Sequence, residues 1–277
     1  LDSMDIERER GITIKAQTIQ LNYQLNNENY ILNLIDTPGH VDFTYEVSRS
    51  MAACEGALLL VDSTQGVEAQ TVSNTYLAIE SDLEIIPVIN KIDMDNSNVE
   101  STEEQIMELL GCEQESILKI SAKTGLGLSG IFDAIINRIP NPESSKEDKL
   151  QALIFDSYYD QYRGVVVYVR IVNGYVTKDM TAKFFKYEKS HEILEVGILQ
   201  LERKPKDRLD SGDVGYIIIN VKDVSNIKVG DTLTSKELES DIPLDGYKPI
   251  KSMVFSGMYP IESKDYENLR VSLDRLK

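Results

Sequence analysis

A carboxylate at the end of an apolar run needs a reason, and Asp36 has a chemical one. The run Ile31-Leu32-Asn33-Leu34-Ile35 reads as a buried β-strand that breaks off into Asp36-Thr37-Pro38-Gly39-His40. At such a strand end Asp36 can hold a Mg²⁺ through water, and the Gly39 N–H, with no Cβ beside it, can approach a γ-phosphate. His40 then falls where an attacking water must be held. That is the chemistry of a nucleoside triphosphatase. The plain alternative for the same aspartate is the N-cap of a following helix.

Asn90-Lys91-Ile92-Asp93 is more specific. Guanine presents N1–H and N2–H₂ as parallel donors, and a carboxylate at Asp93 meets them with two acceptors. Adenine, with an acceptor at N1 and no amino group at C2, would leave Asp93 desolvated and unpaired. Asn90 would brace the loop and reach the base edge, while the Lys91 stem lay over the ring. In Ser121-Ala122-Lys123 a small residue lets the Ala122 N–H come close to guanine O6, with Ser121 ordering the loop. Thr13, in Arg10-Gly11-Ile12-Thr13-Ile14, offers a hydroxyl and a carbonyl that could close over Mg²⁺ and the γ-phosphate; an ordinary β-branched strand residue is the alternative. The other histidine, His191, sits in a basic stretch that reads as an exposed hairpin, and no role is expected of it.

The elements that must position these groups follow from periodicity. Residues 2–10 are charged, a helix end or a loop, and Gly11 to Leu21 alternates with period two, as a strand does. Asn26-Asn27-Glu28-Asn29 is a turn, and Tyr30 to Ile35 return as the partner strand of a hairpin. Helical spacing is expected over Val41–Ala53, Gln70–Ile79, residues 100–110 and Gly130–Ile139. Between these lie Ala57–Val61, a continuous apolar run ending at Asp62, then Glu84–Ile89 and the short Ile117–Ile120. Strands alternating with helices predict a parallel sheet covered on both faces, with ligands at the C-terminal strand ends.

Pro140 to Asp148 is polar and aperiodic, a linker, and beyond it only strands are signalled. Gly164–Val172 runs into Asn173-Gly174, a strong hairpin signal. Further strands near 181–187, 192–199, 214–220 and 231–234, with turns at Gly212-Asp213 and Gly230-Asp231, suggest a small barrel. From Pro249 a strand through Val254 and a helix from about Ser263 suggest the start of an α/β sandwich. The expected domains are therefore 1–139, a linker over 140–150, a barrel over 151–240 and a third domain beginning at 246–277.

Composition narrows the classes. A length of 277 residues with 42% hydrophobic content suits two or more cores, and a net charge of −17 argues against non-specific adhesion to nucleic acid or anionic lipid. Cys54 and Cys112 are solitary, which indicates neither a zinc site nor a disulfide framework, and suits a reducing compartment. No window is long and apolar enough to span a bilayer. The first residues already read as the middle of something, and the end falls inside the helical pattern Asp265–Leu273, so a fragment of a longer protein is expected.

In this order, Arg-Gly-Ile-Thr-Ile, Asp-Thr-Pro-Gly-His, Asn-Lys-Ile-Asp and Ser-Ala-Lys resemble the translational GTPases. The stretches Leu1–Gln17 and Tyr45–Ala57 are similar to the elongation factor 4 (LepA) type, and Ser256–Ile261 resembles the start of that type's third domain. The resemblance implies an α/β P-loop GTPase domain, a translation-factor β-barrel and the opening of an α/β sandwich domain. It implies GTP and GDP as ligands, contacted by Asp36, Pro38, Gly39, Asn90, Lys91, Ile92, Asp93, Ser121, Ala122 and Lys123. Mg²⁺ would be served by Thr13 and Asp36, and His40 would orient the water, with Ile12 on one side of an apolar gate. It further implies action on stalled or mistranslocated ribosomes, tRNA contact in the complete protein, a monomer, a cytoplasmic or organellar-matrix location and peripheral membrane association. One departure stands out: no Gly-x-x-x-x-Gly-Lys-Ser/Thr phosphate loop occurs in these residues, so low nucleotide affinity and little turnover are expected of them alone. Elongation factor G and the BipA-type GTPases share the short motifs, but Ile14-Lys15-Ala16-Gln17 and the Ile in Asn-Lys-Ile-Asp favour the elongation factor 4 type. A different class is a non-hydrolysing ribosome- or RNA-binding module built on Arg203-Lys204-Pro205-Lys206-Asp207-Arg208 with Lys183, Lys186 and Lys189. The plain reading of that run is a set of solvated hairpin tips, and the presence of His40 argues for hydrolysis.

Overall fold

A computed structural model describes residues 5–10, 12–142, 149–160, 162–186, 190–220, 227–244 and 256–276. Residues 1–247 form one compact unit and residues 248–277 a second. The first unit opens with a short helix, α1 (Asp5–Arg10), and an antiparallel hairpin of β1 (Gln17–Leu25) and β2 (Glu28–Asp36). Its turn is two residues, Asn26 and Asn27, both at positive φ (51° and 66°), the twist that matches flanking strands. The strand expected from Gly11 begins only at Gln17, opposite Asp36. The reason is that β2 ends there, so residues 12–16 have no strand to pair with. The N–H groups of Ile14 and Lys15 donate instead to the buried Glu7 carboxylate, at 3.0 and 3.1 Å. The run at Ile31–Ile35 is also not a buried strand: it is half-buried at best, and Ile31 is exposed.

A three-stranded parallel sheet follows, in the order β3 (Gly56–Asp62), β4 (Glu84–Asn90), β5 (Leu118–Lys119). It is interleaved with α2 (Thr44–Met51), α3 (Ala69–Glu80), α4 (Val99–Leu110) and α5 (Leu128–Arg138). Helix α4 starts where the Asn98 side chain accepts the Ser101 N–H and stops at left-handed Gly111. Ile86 and Val88 of β4 pack toward Ile131 and Ile135 of α5, whereas Ile89 packs toward Ile106 of α4. Coverage on both faces therefore holds for β4. It fails for β3, where Leu58 and Leu60, beside Ile86 and Val88 in register, are 38% and 58% exposed. The hairpin docks separately, through Leu32 and Leu34 against the α5 cluster and the Tyr23 ring stacked on Phe132.

The second half of this unit is a closed barrel. Strands β6 (Gln151–Asp160), β7 (Gly164–Asn173), β8 (Tyr175–Thr177), β9 (Thr181–Phe184), β10 (Ser190–Leu199), β11 (Arg203–Lys206), β12 (Arg208–Asp210), β13 (Val214–Ile219) and β14 (Thr232–Ser235) account for its described elements. The main sheet runs β11-β10-β13-β7-β6-β14-β9, and a further β10–β9 pairing closes it, so the closed ring has no free edge. The hairpin expected at Asn173-Gly174 does not form. Both edges of β7 are already taken by β6 and β13, so the chain turns at Gly174 (φ 68°) and β8 pairs with β12 instead. His191 lies half-buried in β10 opposite Ala182, not on an exposed tip.

The barrel meets the first half through Ala53, Phe155 and Val214, with Ile35 and Tyr168 beside them. Across the same junction Glu55 pairs with Arg170, and Lys15 reaches Asp156 at 3.0 Å. In the second unit a 3₁₀ turn at Ser263–Asp265 leads into α6 (Tyr266–Leu276), matching the helix expected from Ser263. The central part of the expected linker, 143–148, and the expected strand through Val254 lie outside the described residues.

Candidate nucleotide site

Parallel pairing levels the strand ends on one side of the sheet. Asp62 is opposite Asn90, and Ile89 opposite Lys119, so the loops after β3, β4 and β5 emerge together. These loops are stitched to one another. Asn90 Oδ1 accepts the Ala122 N–H at 3.0 Å, and the Ile120 carbonyl accepts the Ile92 N–H at 3.3 Å. The Asn90 carbonyl accepts the Ser63 N–H at 3.0 Å, while Ser97 donates its hydroxyl to Ser63 at 2.9 Å. Ser121 accepts the Thr124 N–H at 3.1 Å and hydrogen-bonds the Asp93 carboxylate. That bond, assisted by the Asp93 backbone N–H and by Lys123, outweighs the burial penalty and holds the exposed Asp93 carboxyl below the usual range, so it is an ionised acceptor at neutral pH.

The residues expected around a base are therefore adjacent, with one difference in detail. The Ala122 N–H, expected at the base edge, is donated to Asn90, so Asn90 acts first as a brace between the two loops. Ile92 is half-buried against the α4-side core and anchors the loop from below. Lys91 has a left-handed backbone (φ 64°), and its ammonium pairs with Asp62 at 2.6 Å. Asp62 was legible as the end of an apolar run, but its pairing depends on β3 lying next to β4, which spacing alone does not give.

The other candidates are carried by the hairpin. Asp36 is the last residue of β2 and is exposed, followed by buried Pro38 and exposed Gly39. A Cβ built on Gly39 would meet nothing within 4 Å, which leaves room for a ligand to approach its backbone. His40 Nδ1 accepts the Asp42 N–H at 3.2 Å, and Asp42 Oδ2 lies 3.5 Å from the same nitrogen. Thr13 is half-buried, four residues before Gln17, the residue that faces Asp36 across the hairpin. Asp36 and Thr13 each carry oxygen donors of the kind Mg²⁺ takes one or two of, and the hairpin register brings Gln17, not Thr13, opposite Asp36. Ile12 is exposed.

The basic barrel residues are largely committed elsewhere. Arg203 pairs with Asp160 and lies over the Tyr158 and Tyr216 rings, Arg208 pairs with Asp210, and Lys183 pairs with Glu239. Lys204 and Lys206 are exposed, and Lys189 lies outside the described residues.

Residues 1–141 match the Elongation factor Tu GTP binding domain, and residues 164–234 match Elongation factor Tu domain 2. Elongation factor 4 from Chlorobium luteolum is 56% identical over 277 residues, covering 100% of this chain and 46% of that protein. Elongation factor 4 from Phocaeicola vulgatus is 52% identical over 277 residues, with 100% and 47% covered. The crystal structure of the bacterial selenocysteine-specific elongation factor EF-Sec shares the fold, with a TM-score of 0.71 at 21% identity over 85% of this chain and 40% of that one. The chain spans about half the length of the curated relatives it matches. These relatives are named Elongation factor 4, and the elongation factor G and BipA alternatives are not favoured. Because the GTP-binding match takes in just over half of the 277 residues, this chain belongs to the Elongation factor Tu GTP binding domain family.

Proposed function

We propose that this chain supplies the guanine-recognition and water-positioning parts of a ribosome-dependent GTPase of the elongation factor 4 type, which in its complete form hydrolyses GTP to GDP and phosphate in the cytoplasm. The observation that carries the reading is the stitched base site, in which Asn90 bridges to Ala122 while Ser121 holds an ionised Asp93 at the mouth of the same strand ends. Asp93 accepts from the two guanine donors, Lys91 covers a ring face, and Ala122 and Lys123 border the base. Gly39 approaches the terminal phosphate. His40 orients the attacking water, with the ring fixed by the Asp42 N–H. Asp36 and Thr13 would hold Mg²⁺, whose charge offsets that of the β- and γ-phosphates when it is bound. Barrel contact with ribosomal RNA and protein, and tRNA contact in the complete protein, belong to the same reading. So does a monomeric state.

No phosphate loop lies in the 277 residues, so the test uses two polypeptides: this chain, and the same chain completed with the flanking regions of the Chlorobium luteolum relative. A fluorescent guanine nucleotide is titrated into each, with adenine nucleotides as competitors, and phosphate release is followed with and without ribosomes. Guanine-selective binding, stronger in the completed chain, and ribosome-stimulated release that His40→Ala abolishes are expected. Binding without base preference, or turnover that survives His40→Ala, overturns the reading.

A further inference from the structure

Lys91 is expected to lie over the guanine ring, yet an unrestrained lysine makes a poor fixed surface. Its four-carbon stem is flexible, and here the side chain is 55% exposed. Something must hold its far end, and the structure contains a holder. Asp62, at the tip of β3, is itself fixed before it meets the lysine. Its Oδ1 accepts both the Thr64 N–H at 2.9 Å and the Thr64 hydroxyl at 2.7 Å. That leaves Oδ2 for the Lys91 ammonium at 2.6 Å. The Asp62 backbone is pinned as well, because its carbonyl accepts the N–H groups of Gln65 and Gly66 at 3.1 and 2.8 Å. Burial works against ionisation of this carboxyl, but Lys91 and Thr64 together hold it below the usual aspartate range. The lysine is constrained from its near end too, by the left-handed backbone at φ 64°.

We propose that Asp62 is a positioning residue of the guanine site, stretching the Lys91 stem between the β4 and β3 loops so that its methylene face is set where the purine stacks. Asp62 does not touch the nucleotide; it acts through Lys91. The inference rests on the guanine-site reading given above. It also separates Asp62 from the Asp36 side of the site, since base stacking contributes equally to the bound substrate and to its transition state. Loss of Asp62 must therefore raise KM for GTP and leave kcat at saturation in place.

The completed chain described above provides the test. Asp62→Asn is expected to raise KM for GTP and Kd for GDP by about three- to fivefold, the upper range for a half-exposed ion pair. Asp62→Glu, which keeps the charge, is expected to restore most of that loss. In a Lys91→Ala background Asp62→Asn should change KM by less than about 1.5-fold, because the group through which it acts is gone. A merely structural role would persist in that background and would sink the proposal. So would a KM that stays constant or falls on Asp62→Asn, since a fall would mean that Asp62 sequesters Lys91 from the ligand. Wild-type binding of guanine nucleotide distinguishes the two levels of failure: if it is absent, the underlying site reading fails; if it is present while Asp62→Asn has no effect, only this proposal does.

Discussion

The segment carrying Thr13 is tied to its surroundings by three carboxylates, and one of these ties crosses to the barrel. Glu7 takes the N–H groups of Ile14 and Lys15, Glu46 of α2 takes the Ala16 N–H, and Asp156 of β6 takes the Lys15 ammonium at 3.0 Å. Asp156 is the buried member, its side chain 12% exposed against 33% for Lys15. Lys15→Met would leave that carboxylate beside Glu46 without the Lys15 cation. Removing one partner of a fully buried pair costs about 3–5 kcal/mol, and the partial exposure of Lys15 screens this to about 2 kcal/mol. In a unit of this size the expected fall in the thermal midpoint is about 4–8 °C. The double variant Lys15→Met/Asp156→Leu removes the orphaned charge as well, and is expected to regain at least half of the loss. Urea unfolding of the four proteins of the cycle gives the coupling energy, and hydrogen exchange over residues 12–17 shows whether the loss is local to the Thr13 segment. A double variant as unstable as the sum of the single ones would refute the claim that Lys15 and Asp156 act as a pair.

Three further outcomes can be checked on the same preparation. Burial, reinforced by Asp156, raises the Glu46 carboxyl above the usual range against the pull of Arg49, Lys15 and the Ala16 N–H, so the stability it contributes is present below its unfolded pKa and lost as pH rises through its folded one. Glu46→Gln keeps an acceptor for Ala16 and is expected to flatten that slope in unfolding curves from pH 4 to 7, and not to destabilise the protein at pH 7. Gly39→Ala meets no atom in the fold and is expected to alter stability by under about 0.5 kcal/mol, while cutting GTP turnover of the completed chain at least about tenfold if the γ-phosphate closes on that N–H. Burial, aided by Glu55 and against Arg170, pushes the Cys54 thiol up to about 12, so its labelling by a thiolate-selective reagent at pH 8 should track unfolding. Fast labelling in native buffer would contradict the packing at the barrel junction.

What could be read from the chain divides by the range of the cause. Local causes were legible: the turn at Asn26-Asn27, the helix over residues 100–110, and runs ending in Asp36, Asp62 and Asn90 all act within a few residues. Neighbour relations were not. Nothing within Gly164–Gly174 records that both edges of β7 are occupied, so the Asn-Gly signal points to a hairpin that the sheet order forbids. The alternation of residues 12–16 likewise suits a strand, but a strand needs a partner, and β2 has ended by Asp36.

The same distinction bears on the site. Each short motif specifies what its own side chains can bind, while the cross-links that hold the motifs together come from parallel pairing of β3, β4 and β5. Asp62 illustrates the point: alone it is a polar residue closing an apolar run, and only its register opposite Asn90 brings it to Lys91. Leu58 and Leu60 carry the argument to the opposite edge of β3. Their neighbours in register, Ile86 and Val88, are fully buried under α5, yet these two remain open. Covering the fraction of each side chain that is still exposed would contribute about 0.6–1.7 kcal/mol, a modest driving force toward covering this face.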